Sequence, residues 1–308
     1  MDFQQKFEPK GRRIIHGAGQ SPEQFKKYWH AVGDYKPLMY MQYIRLGEIK
    51  EKLLEKIEMM ESISPTLCLQ LGFNLKPRNE QEKCKEIAQE CYDEELMQLI
   101  ELLKNLKNPV FLRIGYECND PAHNYHPHQF ILAWRYIVDA FRKHQVNNVA
   151  MVWSVCTAFN RTVSELMRYY PGDAYVDWFS DDLFGVRHFT EKNNPAIITE
   201  HFYREAERHR KPMMIGESSA VHSGVDKGEK SWDAWFKPYF QWIASHPNVK
   251  AFCYINWDWG KDWKQPAWGN CRIEENTDIQ EHYTQELSSS KYLHHQRIKT
   301  FLNQVYDT

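Results

Sequence analysis

Short apolar runs alternate with amphipathic stretches along the whole chain. The runs have the character of buried strands and lie near 12–17, 37–44, 66–73, 109–116, 148–155, 175–180, 212–217 and 249–256. Between them, apolar residues recur at spacings of three and four, which predicts helices over 47–61, 86–106, 128–144, 195–209 and 231–245. Ser21 followed by Pro22 is typical of a helix N-terminus, with serine as the cap.

This alternation of strands and helices over 308 residues predicts a single (β/α)8 barrel, the TIM-barrel fold. A doubly wound open sheet is the alternative, but the turn after the first strand has only Gly17 and Gly19 of the three glycines of a dinucleotide-binding fingerprint. No linker, repeat or low-complexity segment divides the chain, so one domain is expected over 1–308. The long, polar segment 260–287 predicts an extended loop after the eighth strand.

The charge and composition narrow the classes of partner. A formal net charge of −2 gives no basic surface for nucleic acid or an anionic membrane, so neither is expected as a partner. Aromatic residues make up 14% of the chain, and aromatic rings suit sugar rings as well as protein cores. The N-terminus lacks the apolar stretch of a signal peptide, which predicts a cytoplasmic protein as the chain stands, or a secreted one if a leader was removed.

Two glutamates follow or end apolar runs. Glu117 comes directly after the run 109–116, and Glu217 is the last residue of the run 212–217. An unpaired buried carboxylate is costly, so each is either a functional group or the polar residue that opens a loop. In a barrel the C-terminal ends of the strands meet at one face, where active sites form. A carboxyl pair at that face fits cleavage of a glycosidic bond, in which one group protonates the leaving oxygen and the other attacks or activates water.

Arg113 lies on the same predicted strand as Glu117. Strand alternation places Arg113, Gly115 and Glu117 on one face, so Arg113 is expected to point into the barrel below Glu117. A buried arginine needs an acidic partner, and pairing with a catalytic carboxylate would favour its ionised, nucleophilic form. The alternative is that Arg113 pairs with a structural acid.

Several motifs together resemble clan A glycoside hydrolases of family 26. That family usually carries His-Glu-x-Asn on its fourth strand, and this chain has Tyr116-Glu117-Cys118-Asn119 there. The further similar segments, in the order of the family, are Trp153-Ser154 at the fifth strand, 169–178 with its Tyr-Pro-Gly-Asp before the sixth, and Ile215-Gly216-Glu217 on the seventh. The resemblance covers roughly residues 109–257.

The resemblance implies a retaining glycoside hydrolase in which Glu117 is the general acid/base and Glu217 the nucleophile. It also implies that Asn119 and Trp153 line the site and that Asp182 is the aspartate of the sixth strand. The implied substrate is a β-linked polysaccharide or oligosaccharide of the β-mannan, β-1,3-xylan or β-glucan type, cleaved by endo action. No cofactor and no metal are expected.

Three positions differ from the mannanases of that family, and at one of them Asp120 replaces the glycine that often follows the asparagine. Tyr116 stands where they have histidine, and Phe184 stands where they usually have a tyrosine that contacts the nucleophile. Both are expected to border the bound sugar. These differences favour a substrate other than mannan, and they leave a barrel that binds carbohydrate without cleaving it as the alternative.

Further residues are candidates for binding the sugar. Trp257, at the end of the eighth strand, is expected to stack under the sugar ring, and Trp259 to form an outer subsite or to pack the loop. His16 is expected either to bond sugar hydroxyls or to be a satisfied barrel residue. Three histidines in the loop after Glu117 suggest a metal site, but the strands lack the histidine pair of a metal-dependent barrel hydrolase; they are His123, His126 and His128.

Overall fold

A parallel sheet curls into a closed barrel in the computed structural model, which describes residues 2–160 and 162–306. The strands are β1 Ile14–Gly19, β2 Met39–Arg45, β3 Cys68–Asn74, β4 Val110–Ile114, β5 Val149–Val155, β6 Trp178–Leu183, β7 Met213–Ser218, β8 Val249–Ile255 and β9 Tyr292–Leu293. Neighbours pair in chain order from β2 to β8, and β1 pairs with both β8 and β2, which closes the barrel. The short β9 pairs only with the start of β1. The predicted (β/α)8 barrel is confirmed.

Helices surround the barrel, and the longer ones bury residues along one apolar stripe. Their bounds are α1 Pro22–Ala31, α2 Ile49–Ile63, α3 Cys84–Ala88, α4 Asp93–Lys104, α5 Pro127–Lys143, α6 Val163–Met167, α7 Arg187–Thr190, α8 Ala196–Arg208, α9 Glu229–Ser231, α10 Lys237–Ser245, α11 Trp259–Asp262, α12 Thr277–Leu287 and α13 Ile298–Tyr306. Ser21 caps α1 as predicted, since its hydroxyl accepts from the amide of Gln24. Among the described residues, no helix combines the length and apolar character needed to cross a bilayer.

Three segments differ from the sequence-based expectation. The helix expected over 86–106 is broken into α3 and α4 near Glu90, whose φ of 68° is not helical. Strand β6 begins later than expected because Asp173–Tyr175 forms a 3-10 turn first. The segment 260–287 is not one extended loop, because its second half forms helix α12, which the side chain of Asn276 caps by accepting from the amide of Ile279.

The barrel interior is packed, and its N-terminal end is plugged. Inside, the side-chain amide of Gln70 donates to the carbonyl of Gly216 at 2.9 Å and accepts from the thiol of Cys253 at 3.0 Å. At the N-terminal end, the ring of Phe7 lies 6.0 Å from that of Phe111 on β4. The C-terminal end of the barrel is therefore the face at which side chains from several strands can form a site.

Candidate active site

One buried guanidinium, that of Arg113 on β4, joins four neighbouring strands. Its Nη1 donates to Glu217 Oε1 on β7 at 3.0 Å, and its Nη2 forms an ion pair with Asp182 on β6. Both Nη2 and Nε also donate to the hydroxyl of Ser154 on β5, at 2.8 and 3.2 Å. Arg113 therefore points into the barrel as expected, and it pairs both with the candidate nucleophile and with a second, fully buried acid.

Glu217 reaches Arg113 because strand β7 lies very close to strand β6 at Gly216. A Cβ atom at Gly216 would lie 2.5 Å from Ser180 Oγ and 2.6 Å from Asp182 Oδ1, distances that no side chain tolerates. The pairing of β7 with both neighbouring strands is also irregular here. Glycine thus permits the approach that leaves the Glu217 side chain 9% exposed at the end of the barrel.

Glu117 lies in a tight turn rather than on the strand. Strand β4 ends at Ile114, and both Gly115 and Glu117 have positive φ values, 53° and 47°. The sequence-based argument from strand alternation therefore fails beyond Ile114. The turn is held by the carbonyl of Glu117, which accepts from the amide of Asp120 at 2.8 Å and lies 3.1 Å from Nδ1 of His123. A positive φ is uncommon for glutamate, and backbone strain of this kind is frequent at functional sites.

The two glutamates occupy opposite electrostatic environments. Burial, and then the negative charge of Glu217, raises the pKa of Glu117 to about 8, so Glu117 carries a proton at neutral pH. Glu217 instead accepts a hydrogen bond from the guanidinium of Arg113, at 3.0 Å, in a buried ion pair. A protonated carboxylic acid and an ionised carboxylate within range of each other's charge are what paired acid and nucleophile chemistry requires.

Three aromatic side chains pack against one another next to this pair. The ring of Tyr116 lies 4.8 Å from that of Tyr43 on β2 and 5.4 Å from that of His123. The guanidinium of Arg113 lies 5.4 Å from the Tyr116 ring centre. Burial raises the pKa of Tyr116 to about 12, so its hydroxyl is a hydrogen-bond donor at neutral pH. Sequence reasoning missed Tyr43, although the alternation that places Met41 and Tyr43 on one face of β2 was available.

Asn119 holds the neighbouring loop rather than facing open space. Its side chain donates to the carbonyl of Cys156 at 2.7 Å and accepts from the amide of Cys156 at 2.9 Å, just after β5. It also bonds the side chain of Asn160. The thiol of Cys156 in turn donates to the carbonyl of Asp182 on β6 at 3.7 Å. Asn119 therefore fixes the β5 loop against the turn that carries Glu117, and its place in the lining of the site stays a prediction.

Trp153 does not line the site. It lies on β5 next to Ser154, and since Ser154 bonds Arg113 inside the barrel, Trp153 points outward. Its ring lies 4.9 Å from those of Tyr170 and Phe179, in the layer between sheet and helices. The expectation is therefore corrected: Ser154, not Trp153, is the residue of β5 that points into the barrel next to Arg113.

His16 also points away from the site. It is fully buried on β1, where its Nε2 lies 2.6 Å from the hydroxyl of Tyr28 on α1 and its Nδ1 lies 3.1 Å from Nδ1 of His294. The expectation of a sugar contact is therefore wrong, whereas the alternative of a satisfied structural histidine is confirmed.

The buried His16 is expected to make the fold sensitive to acid. Burial lowers the pKa of His16 well below its ordinary 6.5, so the unfolded chain binds a proton that the folded chain resists. The stability contribution of neutral His16 is full above pH 6.5 and declines as the pH falls below it. We expect His16→Phe to flatten the decline of the urea midpoint between pH 6.5 and 5 relative to the wild type. An equal decline in both proteins would contradict this.

A group of tryptophans follows strand β8. Trp257 is buried, with its ring 5.1 Å from that of Trp259 and 5.6 Å from that of Trp263, which is 60% exposed. Trp259 is buried and donates its indole N–H to Ser219 Oγ at 2.9 Å. Of the two alternatives for Trp259, loop packing is therefore the one that its contacts favour.

Phe184 is half-buried next to this group. Its ring lies 5.9 Å from Trp259 and 5.6 Å from Trp268. Phe184 thus packs the loop after β8, and Asp182 lies beneath the site in its pairing with Arg113. Neither is placed as an exposed sugar contact.

The loop histidines do not converge on a common point. His126 and His128 are exposed, while His123 packs against Tyr116. Over residues 2–160 and 162–306, no group of three histidine, cysteine, aspartate or glutamate side chains is arranged to hold a metal ion.

Loss of Arg113 is expected to destabilise the fold and the site together. Arg113→Met would leave Asp182 and Glu217 without their buried cationic partner, at a cost of about 3–5 kcal/mol in the free energy of unfolding. Adding Asp182→Asn should recover part of that loss, since it removes one of the two unpaired charges. Arg204→Met, which removes an exposed pair with Glu200, is the matched control and should change urea unfolding little. An equal loss in the free energy of unfolding for Arg113→Met and Arg204→Met would contradict the proposed contribution of Arg113 to stability.

Comparison with known proteins gives sequence relatives and structural neighbours. No protein-family profile matches the chain. A β-1,3-xylanase from Alcaligenes sp. is 25% identical over 261 residues, and one from Vibrio sp. is 25% identical over 256 residues. These alignments cover 77% and 75% of this chain and 54% of each relative. The chain thus spans about half the length of the curated relatives it matches.

Solved structures of family 26 β-mannanases share the fold. The enzyme from Bacteroides ovatus aligns over 91% of this chain and 88% of its own, with a TM-score of 0.63 and 16% identity. The catalytic domain of the endo-β-1,4-mannanase from a Bacillus species aligns over 97% of this chain and 91% of its own, with a TM-score of 0.68 and 14% identity. The predicted resemblance is confirmed: this chain is a (β/α)8 barrel like the family 26 glycoside hydrolases in fold, with β-1,3-xylanases among its relatives in sequence.

Proposed function

We propose that this chain is a retaining glycoside hydrolase that cleaves a β-linked polysaccharide by endo action. The observation that carries the proposal is the contrast between Glu117, whose pKa burial raises to about 8, and Glu217, which is paired with Arg113. The raised pKa of Glu117 fits a proton donor, and the guanidinium beside Glu217 fits a nucleophilic carboxylate.

In the first step, the carboxylate of Glu217 attacks the anomeric carbon, and the bond from that carbon to the leaving oxygen breaks. The carboxyl group of Glu117 donates its proton to the leaving oxygen, so the cleaved part of the glycan departs as an alcohol. In the second step, the Glu117 carboxylate takes a proton from water, whose oxygen attacks the anomeric carbon and releases Glu217. Because the carbon is attacked twice from opposite faces, the product keeps the β configuration.

The residues around the pair have supporting roles in this proposal. Arg113 orients Glu217, and Tyr116 borders the sugar at which the bond breaks. Trp257 is positioned after β8, next to the strand of Glu217, and its indole N–H has no hydrogen-bond partner among the described residues. The neighbouring Trp263, whose side chain is 60% exposed, offers its ring to a bound sugar.

The substrate that we propose first is β-1,3-xylan. The support comes from the two relatives named β-1,3-xylanases and from Tyr116 and Phe184, which differ from the residues of the resembling mannanases. The test is to incubate the purified chain with β-1,3-xylan, β-1,4-mannan and mixed-linkage β-glucan, and to measure reducing ends and product lengths. Release of short oligosaccharides from β-1,3-xylan first is expected. Cleavage of mannan alone would contradict the substrate, and cleavage of none of the three would contradict the activity.

A further inference from the structure

Phe159 is an exposed aromatic residue on the turn that follows β5, at the C-terminal end of the barrel. It ends the 3-10 turn Thr157–Phe159, which directly follows β5, and its side chain is 48% exposed. A phenylalanine left in water forgoes the free energy of burying its ring, although a single exposed ring is ordinary on a protein surface. What distinguishes Phe159 is how firmly the surrounding turn is held.

The turn is fixed on both sides of Phe159. Asn119 bonds both backbone groups of Cys156 and the side chain of Asn160. Thr157 is fully buried, and its amide and hydroxyl donate to the carboxylate of Asp181 at 2.9 and 2.8 Å. An exposed ring on a turn this constrained has already lost much of the freedom that binding a ligand would cost, which is a property of preorganised contact surfaces.

The same turn is tied to the proton donor. The amide of Cys118, the residue after Glu117, donates to the carbonyl of Ser154 at the end of β5, at 3.2 Å. Asn119, which clamps the turn, is two residues after Glu117. Because Glu117 protonates the leaving oxygen, the sugar attached through that oxygen must lie on the side of the cleft formed by the β4 and β5 loops.

We propose that the ring of Phe159 is the stacking platform for the sugar on the leaving-group side of the cleaved bond. The ligand is a β-linked pyranose that presents its C–H face to the ring, as part of a longer glycan. This inference rests on the proposed hydrolase function, and it assigns to Asn119 the role of positioning Phe159 relative to Glu117.

The test compares two substrates that differ only in the leaving group. One is an oligosaccharide of the glycan that the wild type cleaves, and the other is the β-glycosyl fluoride of the fragment that this cleavage leaves on the enzyme, so only the leaving-group sugar is missing. Phe159→Ala is expected to lower kcat/KM for the glycan about tenfold more than for the fluoride. A factor of about ten corresponds to the free energy of one good aromatic contact. Phe159→Tyr should restore the wild-type ratio, because it keeps the ring.

Tyr306 provides the matched control, since it is an aromatic residue of nearly equal exposure, 47%, on the final helix. Tyr306→Ala is expected to leave the ratio of the two kcat/KM values unchanged. Equal losses on both substrates in Phe159→Ala, or no loss on either, would overturn the inference. The proposed function would fail differently, by a wild-type chain that hydrolyses neither substrate.

Discussion

Replacing Glu217 with alanine is expected to lower hydrolysis of the glycan by at least about 10³-fold, because no other group can form the glycosyl-enzyme bond. The loss should appear in kcat on the glycan and also on the β-glycosyl fluoride, since even a good leaving group needs a nucleophile. Folding should be retained, as judged by circular dichroism and a cooperative urea transition, because Arg113 keeps Asp182 as its buried acidic partner when Glu217 is removed.

Added azide provides the control for the Glu217 variant. In Glu217→Ala the small anion can occupy the space left by the carboxylate and attack the anomeric carbon of the fluoride from the same face. The fluoride then leaves, and the product is an α-glycosyl azide. A variant that keeps wild-type turnover without azide would show that Glu217 is not the nucleophile. It would favour the alternative of a barrel that binds carbohydrate without cleaving it, with the hydrolysis due to another protein in the preparation.

The second largest effect is expected for Glu117→Ala. Removal of the proton donor should lower kcat/KM for the glycan by about 10²–10⁴-fold, the usual size of general acid catalysis, and should affect the fluoride far less. Azide should now attack the glycosyl-enzyme in place of water, which yields a β-glycosyl azide, the opposite anomer from that of the Glu217 variant. Equal losses on both substrates would contradict the role of proton donor.

The pH profile gives an independent check on Glu117. Since its pKa is raised to about 8, the fraction that still carries the proton falls as the pH rises through 8, and kcat/KM for the glycan should fall with it. In Glu117→Ala this alkaline decline should be absent. If the decline persisted in the variant, it would belong to another group.

The sequence predicted the barrel better than it predicted the directions of side chains. Side chains on a strand alternate, so an error of one residue reverses the face. Trp153 was expected in the site, but the inward position belongs to Ser154, which bonds Arg113. The direction of His16 was also wrong. Nothing local to β1 indicates its contacts with Tyr28 and His294.

Other features depend on contacts between distant segments. The clamp of Asn119 on Cys156 joins the loops after β4 and β5, 37 residues apart, and leaves no local pattern in the sequence. The same applies to Phe159, whose significance comes from that clamp. By contrast, Arg113 was placed correctly, because a charged residue inside an apolar strand must have a buried partner. Helix α12 had a local signal, the cap at Asn276, that outweighed the polar character of its segment.

The central claim, that Glu217 is a nucleophile activated next to Arg113, is tested most directly by trapping the covalent intermediate. A 2-deoxy-2-fluoro β-glycoside of the sugar that the wild type cleaves, with a good leaving group, should inactivate the enzyme by slowing release of the glycosyl-enzyme. Mass spectrometry is expected to find one added glycosyl unit, located on Glu217 in the peptide that contains Met213–Ser218. An active enzyme that gains no mass, or one labelled at a different carboxylate, would contradict the account.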